Sequence, residues 1–321
     1  MKIVSFDDIR NLNIAPQTCY NWVSEMIADK SNVLLPAKIS MRLTEGIFCN
    51  VMPCILDKNA NRSPQYEGGV KIVTRYPERS PSLDSKLLLY NAESGDFLAL
   101  MDSNWITAMR TGAVAAHSIM LLARKGFSTL GIVGLGNTAR ATLLVLASIQ
   151  PDRELYVKLL KYKGQENLFI ERFVDYPNIH FVCVETTDML VKGSDVVISA
   201  ATYLPEDICK DKFFEEGVLV VPIHTLGFTN CDLFFDKIYA DDYGHVCNFK
   251  YFDRFKHFAE VSDVVNGKTA GRENDRERIL VYNIGIAMHD INFAAHIYQL
   301  ICDNQNIVEI DLHDPTEKFW I

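Results

Sequence analysis

Residues 129–148 read TLGIVGLGNTARATLLVLAS. An apolar run meets Gly134-x-Gly136-x-x-Ala139, and apolar residues then recur at helical spacing. In such a strand–turn–helix, Gly134 permits a tight turn, Gly136 lets backbone approach a pyrophosphate, and Ala139 allows close helix–strand packing. The amides and dipole at the helix start suit the anion. A lone glycine motif is a weak signal. Here it opens a run of alternating strands and helices, which raises it to a dinucleotide fingerprint.

Downstream, strand 129–134 leads to helix 137–149, strand 154–160 to helix 165–173, and strand 179–184 to a short helix near 187–192. DVVISAA (195–201), GVLVVPI (217–223) and DKIYADD (236–242) follow as further strands. This alternation predicts βαβ units and a parallel sheet buried on both faces. YGHVCNFKYFDRFKHFAEVSDV (243–264) reads as a helix packed on that sheet, and RERILVYNIGIAMHDINFAAHIYQLI (276–301) as one long apolar helix.

Upstream the character differs. PQTCYNWVSEMIADK (16–30) has helical spacing. Short strands are expected over 33–56, a polar loop or hairpin tip at 57–65, and strands at GGVKIVTRY (68–76), KLLLYNA (86–92) and DFLALMD (96–102). SNWITAMRTGAVAAHSIMLLARKG (103–126) is a helix with small residues on one side. The expected fold is α/β: a Rossmann-type dinucleotide-binding domain (118–290) inserted in a mostly β substrate and dimerisation domain (1–117 plus 291–321).

The chain has 321 residues, is 48% hydrophobic and carries a net charge of −9. That balance excludes a basic nucleic-acid or membrane-surface protein. The N-terminal MKIVSFDDIR lacks a signal core, and no apolar run nears the roughly 18 residues of a membrane span. Eight cysteines form no CxxC, and the eight histidines show no metal spacing. Reduced thiols, a cytoplasmic location and no metal are expected.

Cofactor choice turns on the end of the second strand, LYVKLLKYKGQ (155–165). An acidic residue there would bind the adenosine ribose and disfavour a 2′-phosphate. Lys161 and Lys163 stand there instead, so NADP(H) is expected over NAD(H).

Taken together, NVMPC (50–54), GGVKIVTRYP (68–77), ITAMRTGAVAA (106–116), GIVGLGNTA (131–139), DVVISAAT (195–202), Gly271-Arg272 and YNIGIAMHD (282–290) resemble the ornithine cyclodeaminase/mu-crystallin family. TAMRTGAVAA is the most specific element. The resemblance implies NAD(P)-binding homodimers joined through the N-terminal β domain, with cyclodeaminases, alanine dehydrogenases, ketimine reductases and a hormone-binding crystallin among the members. It also implies that the glycine turn comes late because the substrate domain comes first.

Carried over by position, the carboxylate-binding cations are Lys38 (or its neighbour Arg42), Lys71 and Arg110, with Lys71 and Arg110 the catalytic pair. Thr229 and Ile284 face the substrate. Ser82, Thr111, Gly134, Gly136, Asn137, Thr138, Lys161, Thr202, His224, Leu226 and Asn283 hold the cofactor. The guanidinium fork of Arg110 matches a carboxylate, and Lys71 could also move a proton. His224 reads as a packing or hydrogen-bonding residue.

One departure matters. Cyclodeaminases carry an aspartate in the loop after the fifth strand, where HTLGFTNCDLFFD (224–236) has Thr229. Threonine is no base at neutral pH, and Asp232 is out of register. The expected activity is therefore an NAD(P)H-dependent oxidoreductase on the C–N bond of an imino or amino acid. The alternatives are a cyclodeaminase with Asp232 as substitute base, or a non-catalytic protein binding NADPH and a small carboxylate.

Overall fold

The computed structural model describes residues 1–56, 67–202, 204, 206–224, 226–312 and 315–321; the polar tip expected at 57–65 lies outside them. In chain order the elements are β1 (Lys2–Val4), α1 (Phe6–Asn11), α2 (Pro16–Ala28), β2 (Val33–Leu34), β3 (Ile39–Thr44), β4 (Ile47–Leu56), β5 (Glu67–Arg75), β6 (Leu83–Asn91), β7 (Phe97–Asp102), α3 (Asn104–Leu122), β8 (Thr129–Val133), α4 (Asn137–Ile149), β9 (Leu155–Leu160), α5 (Gln165–Ile170), β10 (Ile179–Val184), α6 (Thr187–Val191), β11 (Val196–Ser199), β12 (Leu219–Pro222), α7 (Cys231–Phe234), β13 (Lys237–Ala240), α8 (Tyr243–Val246), β14 (Phe258–Glu260), α9 (Val261–Val265), β15 (Ile279–Tyr282), α10 (Ala287–Ile301) and β16 (Val308–Glu309).

They fall into two compact units. One comprises Met1–Ile14, Asn32–Ile106 and Asp290–Ile321; the other comprises Ala15–Ser31 and Thr107–His289. Compared with the division expected from sequence, α2 and most of α3 belong to the second unit. For α2 the reason is its apolar face, Cys19, Trp22, Val23, Met26 and Ile27, which is buried where the helix packs on α4 and α9, and ion pairs just past its end add to it. Lys30 Nζ donates to the Asp241 carbonyl at 2.8 Å and pairs with Asp242 at 3.0 Å and Glu260 at 2.7 Å. For α3 it is steric: a Cβ on Gly112 would lie 2.5 Å from Ala141 Cβ, so α3 and α4 touch backbone to backbone there.

In the first unit the sheet runs β16-β1-β7-β6-β5-β4-β2, with β3 paired to β4. Period-two alternation gives it two faces. Met52, Cys54, Lys71, Val73, Leu87, Leu89, Ala99 and Met101 are buried on one. That face packs on α10, where Gly69 makes room for Ile291. The other face leaves Ile39, Met41, Ile72 and Leu100 exposed.

In the second unit the sheet is parallel, in the order β10-β9-β8-β11-β12-β15-β13-β14. All four residues of β11, β12, β13 and β15 are buried. After β10 the chain returns to the far side of β8, so the strand order reverses between β8 and β11. A ligand crevice opens above the carboxyl ends of the strands at such a point.

Two sequence expectations are corrected here. Residues 276–301 are not one helix. Ile279–Tyr282 form β15, and Gly285, with φ +84°, turns the chain into α10. A short apolar run flanked by a left-handed glycine suits a buried strand as well as a helix. Residues 243–264 are not one helix either. They form α8, a 3-10 turn (Phe252–Arg254), β14 and the start of α9. The phenylalanines at 249, 252, 255 and 258 mimic helical spacing. They pack instead as a cluster against the core that holds Tyr282.

Candidate functional site

The turn between β8 and α4 is built as the glycine motif requires. Gly134 adopts φ +81°, and a Cβ there would lie 2.5 Å from the backbone of Ala200 and Ala201, which follow β11. Gly136 is different. It is the N-cap of α4 with φ −80°, no side chain caps the helix, and a Cβ there would meet nothing within 4 Å. The protein alone does not demand glycine at 136. Uncapped amides facing open space are what a pyrophosphate needs. Asn137 and Thr138 open the helix, Asn137 exposed and Thr138 half-buried.

The parallel sheet brings Lys161, Gly134, Thr202, His224 and Asn283 to neighbouring strand ends on this edge. Leu226 N–H donates to His224 Nδ1 at 3.2 Å, so the ring proton sits on Nε2, 2.7 Å from Ser199 Oγ. Burial lowers the His224 pKa to about 4. It is a neutral strut tying the loop after β12 to β11. Thr202 and Leu226 stay exposed. Asn283 donates to the Pro222 carbonyl at 2.9 Å through its backbone and to Ser118 Oγ at 3.1 Å through its side chain. Asp241 accepts from Gly285 N–H at 2.8 Å.

This pinned turn shapes the seat of Arg110. A Cβ on Gly285 would lie 2.8 Å from Arg110 Nη1, so the guanidinium lies against the bare backbone of a residue whose φ of +84° favours glycine. Arg110 is buried on α3. His289 beside it is held neutral, first by burial and then by the Arg110 charge. Thr111 spends its hydroxyl on its own helix, donating to the Thr107 carbonyl at 2.6 Å.

Lys161 pairs with Glu185 Oε1, and both are exposed. Lys163, at φ +51°, lies 5.2 Å from the Tyr162 ring centre. Ile284 is half-buried and Thr229 is exposed. Asp232 is not placed as a base: it is buried, with Oδ1 accepting from the Tyr282 hydroxyl at 2.8 Å. Burial, and then the charge of Asp207, raise its pKa to about 7.

In the first unit, Lys71 projects from β5 to the inner face and meets Asp290 of α10, Nζ to Oδ1 2.6 Å, with both side chains 0% exposed. The sequence reading missed Asp290, although a lone acid in the apolar run AMHDINFAAH was a visible signal. The ladder pairs Ile39 with Val51 and Met52 with Lys71. Lys38, just before β3, therefore falls in line with Met52 and Lys71, whereas exposed Arg42 falls beside Phe48 and Arg75 at the other end of β3. Half-buried Ser82 accepts from Tyr76 N–H through its carbonyl at 2.9 Å, in the turn between β5 and β6.

Known proteins share this architecture. A nodulation efficiency protein of Rhizobium meliloti is 24% identical over 310 residues, 92% of this chain and 94% of its own. N-((2S)-2-amino-2-carboxyethyl)-L-glutamate dehydrogenase of Staphylococcus aureus is 28% identical over 249 residues, 69% of each chain. The structure of Thermococcus litoralis Delta(1)-pyrroline-2-carboxylate reductase, in complex with NADH and L-proline, superposes with a TM-score of 0.82 at 23% identity. It covers 97% of this chain and 100% of that one. The model of the ornithine cyclodeaminase/mu-crystallin family matches residues 6–305, and the protein belongs to that family.

Proposed function

We propose that the protein is an NAD(P)H-dependent oxidoreductase acting on the C–N bond of an imino or amino acid. One observation carries this reading: the buried fork of Arg110 sits against Gly285, at the end of the same sheet edge that presents the uncapped amides of α4. A dinucleotide seat and a carboxylate seat thus share one scaffold. Membership of a family with dehydrogenases among its relatives supports it.

When bound, the nicotinamide supplies or accepts the hydride. The chain's own residues do the rest. The α4 amides, Asn137 and Thr138 hold the pyrophosphate, while His224 and Asn283 fix the strand-end loops around the ring. In the second unit Arg110 is the cation for a substrate carboxylate, with Ile284 and Thr229 for the side chain. In the first unit Lys71 and Lys38 are cations of the same kind, and Lys71 carries an exchangeable proton. Cyclodeamination is not part of the proposal, because neither Thr229 nor the buried Asp232 offers a base.

NADP(H) is the preferred cofactor on this reading. Lys163 and Lys161, the latter shared with Glu185, offer charge to a 2′-phosphate, and positions 161–163 themselves carry no acid. The setting is the cytoplasm, where NADPH is available and the eight unbridged cysteines stay reduced. Among the described residues, no helix is long and apolar enough to cross a membrane.

The test is oxidation of NADPH with pyrroline-2-carboxylate and its six-membered analogue, NADH run in parallel. Turnover is expected, with kcat/KM about tenfold higher for NADPH. Tight NADPH binding with no turnover across cyclic imines and N-substituted amino acids would leave only the binding-protein reading.

The partner is a second copy of the chain, through the first unit's outer sheet face. Ile39 is 57%, Met41 50% and Ile72 43% exposed there, an apolar patch that a soluble sheet ordinarily covers. Met41→Asp combined with Ile72→Asp is expected to halve the mass seen by sedimentation equilibrium. An unchanged dimer would place the interface elsewhere.

A further inference from the structure

We propose that Arg140 is the cation that grips the 2′-phosphate of NADP(H) and so sets the choice between the two dinucleotides. The inference rests on the NADP(H) reading above and adds to it the residue that carries the selection. Every residue involved belongs to the second unit.

Arg140 is an arginine whose charge the protein leaves unused. Its guanidinium finds no acceptor among the described residues, although Nε is buried. The half-buried arginines elsewhere in this unit are engaged. Arg124 pairs with Asp195. Arg153 donates to the Lys125 and Phe127 carbonyls at 3.1 and 2.7 Å. Arg272 donates to the Leu122 and Glu277 carbonyls at 2.7 and 2.6 Å, and Arg278 to the Phe214 carbonyl at 2.9 Å. The charge that acts on Arg140 is another cation. Burial, and then Arg172 on the exposed 3-10 turn Glu171–Phe173, lower its pKa. A repelled cation without a carboxylate contributes little to the fold, and an anion would turn its surplus charge into attraction.

The position suits that anion. Arg140 lies in the first turn of α4, where its backbone N–H donates to the Gly136 carbonyl at 3.1 Å. It shares a helix face with Gly136 and Asn137, and its side chain leans back toward them. The guanidinium lies over the Phe169 ring of α5, 5.9 Å from the ring centre. α5 is entered from the end of β9 through residues 161–164, and β9 pairs directly with β8. Arg140 thus stands between the glycine turn and the second-strand end, where the adenosine ribose lies in a fold of this kind. Stacking on Phe169 fixes the guanidinium plane and leaves its edge for the oxygens of a phosphate. Lys161 is the weaker anchor, because Glu185 already takes its charge. Lys163, over the Tyr162 ring, adds a point charge without a fork.

The test is a fluorescence titration of the whole protein, without substrate, with NADPH and with NADH. Arg140→Met keeps a stem for Phe169 and removes the charge. NADPH affinity is expected to fall about 10–30-fold, which erases the wild-type preference. NADH, titrated on the same variant, controls for any loosening of the fold. Arg140→Lys, a cation without the fork, should keep part of the preference. Lys161→Met should weaken NADPH by no more than about threefold. The wild-type preference should also shrink as salt rises. If wild type prefers NADPH and Arg140→Met prefers it equally, the proposal is overturned and the cofactor reading stands. If wild type binds NADH as tightly as NADPH, both fall together.

Discussion

Replacing Gly136 by valine should leave the fold standing and weaken dinucleotide binding at least about 100-fold. The backbone at 136, φ −80° and ψ −171°, is open to any residue. A Cβ there touches nothing in the protein. Its only cost is to a ligand that must lie against the backbone and accept from the α4 amides. Losing that approach removes several charge-assisted hydrogen bonds, each worth about 1.5–3 kcal/mol. Gly134→Val is the contrasting case. There φ is +81° and the new Cβ would overlap the backbone of Ala200 and Ala201, so the sheet itself must yield. Thermal melts and a fluorescence titration with NADPH separate the two. Wild-type affinity in Gly136→Val would mean that the pyrophosphate does not sit on this turn.

Lys71→Met should be strongly destabilising. It leaves the Asp290 carboxylate buried without the ammonium 2.6 Å away. Breaking one side of a buried pair costs about 3–5 kcal/mol, and for a chain of this size that is roughly 10 °C in Tm. Replacing both partners, Lys71→Met with Asp290→Leu, removes the orphaned charge and should recover most of the loss. Equal melting of the single and double variants would show that the two residues are not coupled. Neither variant should turn over substrate, so melting rather than activity carries this comparison.

Much of this architecture could be read from the chain because its determinants are local. The strand–turn–helix at 129–149 announces itself through adjacent residues, and the βα alternation through 184 follows from periodicity. Where the reading failed, the deciding contact was distant. Ile279–Tyr282 looks helical until one knows that β12 and β13 flank it. The phenylalanines of 249–258 keep a helical interval, yet Phe249 packs on Tyr282 while Phe252, Phe255 and Phe258 pack on one another against the same core. α2 joins the second unit by packing its apolar face on α4 and α9, both more than 100 residues away in the chain. At the site, the residue types were legible and their partners were not. Lys71 was visible as a burial problem by type alone; its partner Asp290 lies 219 positions further on.

The contact of Gly112 with Ala141 has one more consequence. Gly112 follows Arg110 by two residues, and Ala141 lies one turn into the helix that starts at Asn137. The spacing between the two ligand-holding groups of the second unit is thus set by helix against helix, a rigid gauge, and not by any loop. Loops can be redrawn to admit a longer or bulkier substrate while that gauge keeps the reacting atoms at one separation. In directed evolution of this scaffold, substitutions at 112 and 141 would act as a length adjustment for every substrate at once, and those positions are the ones to hold fixed.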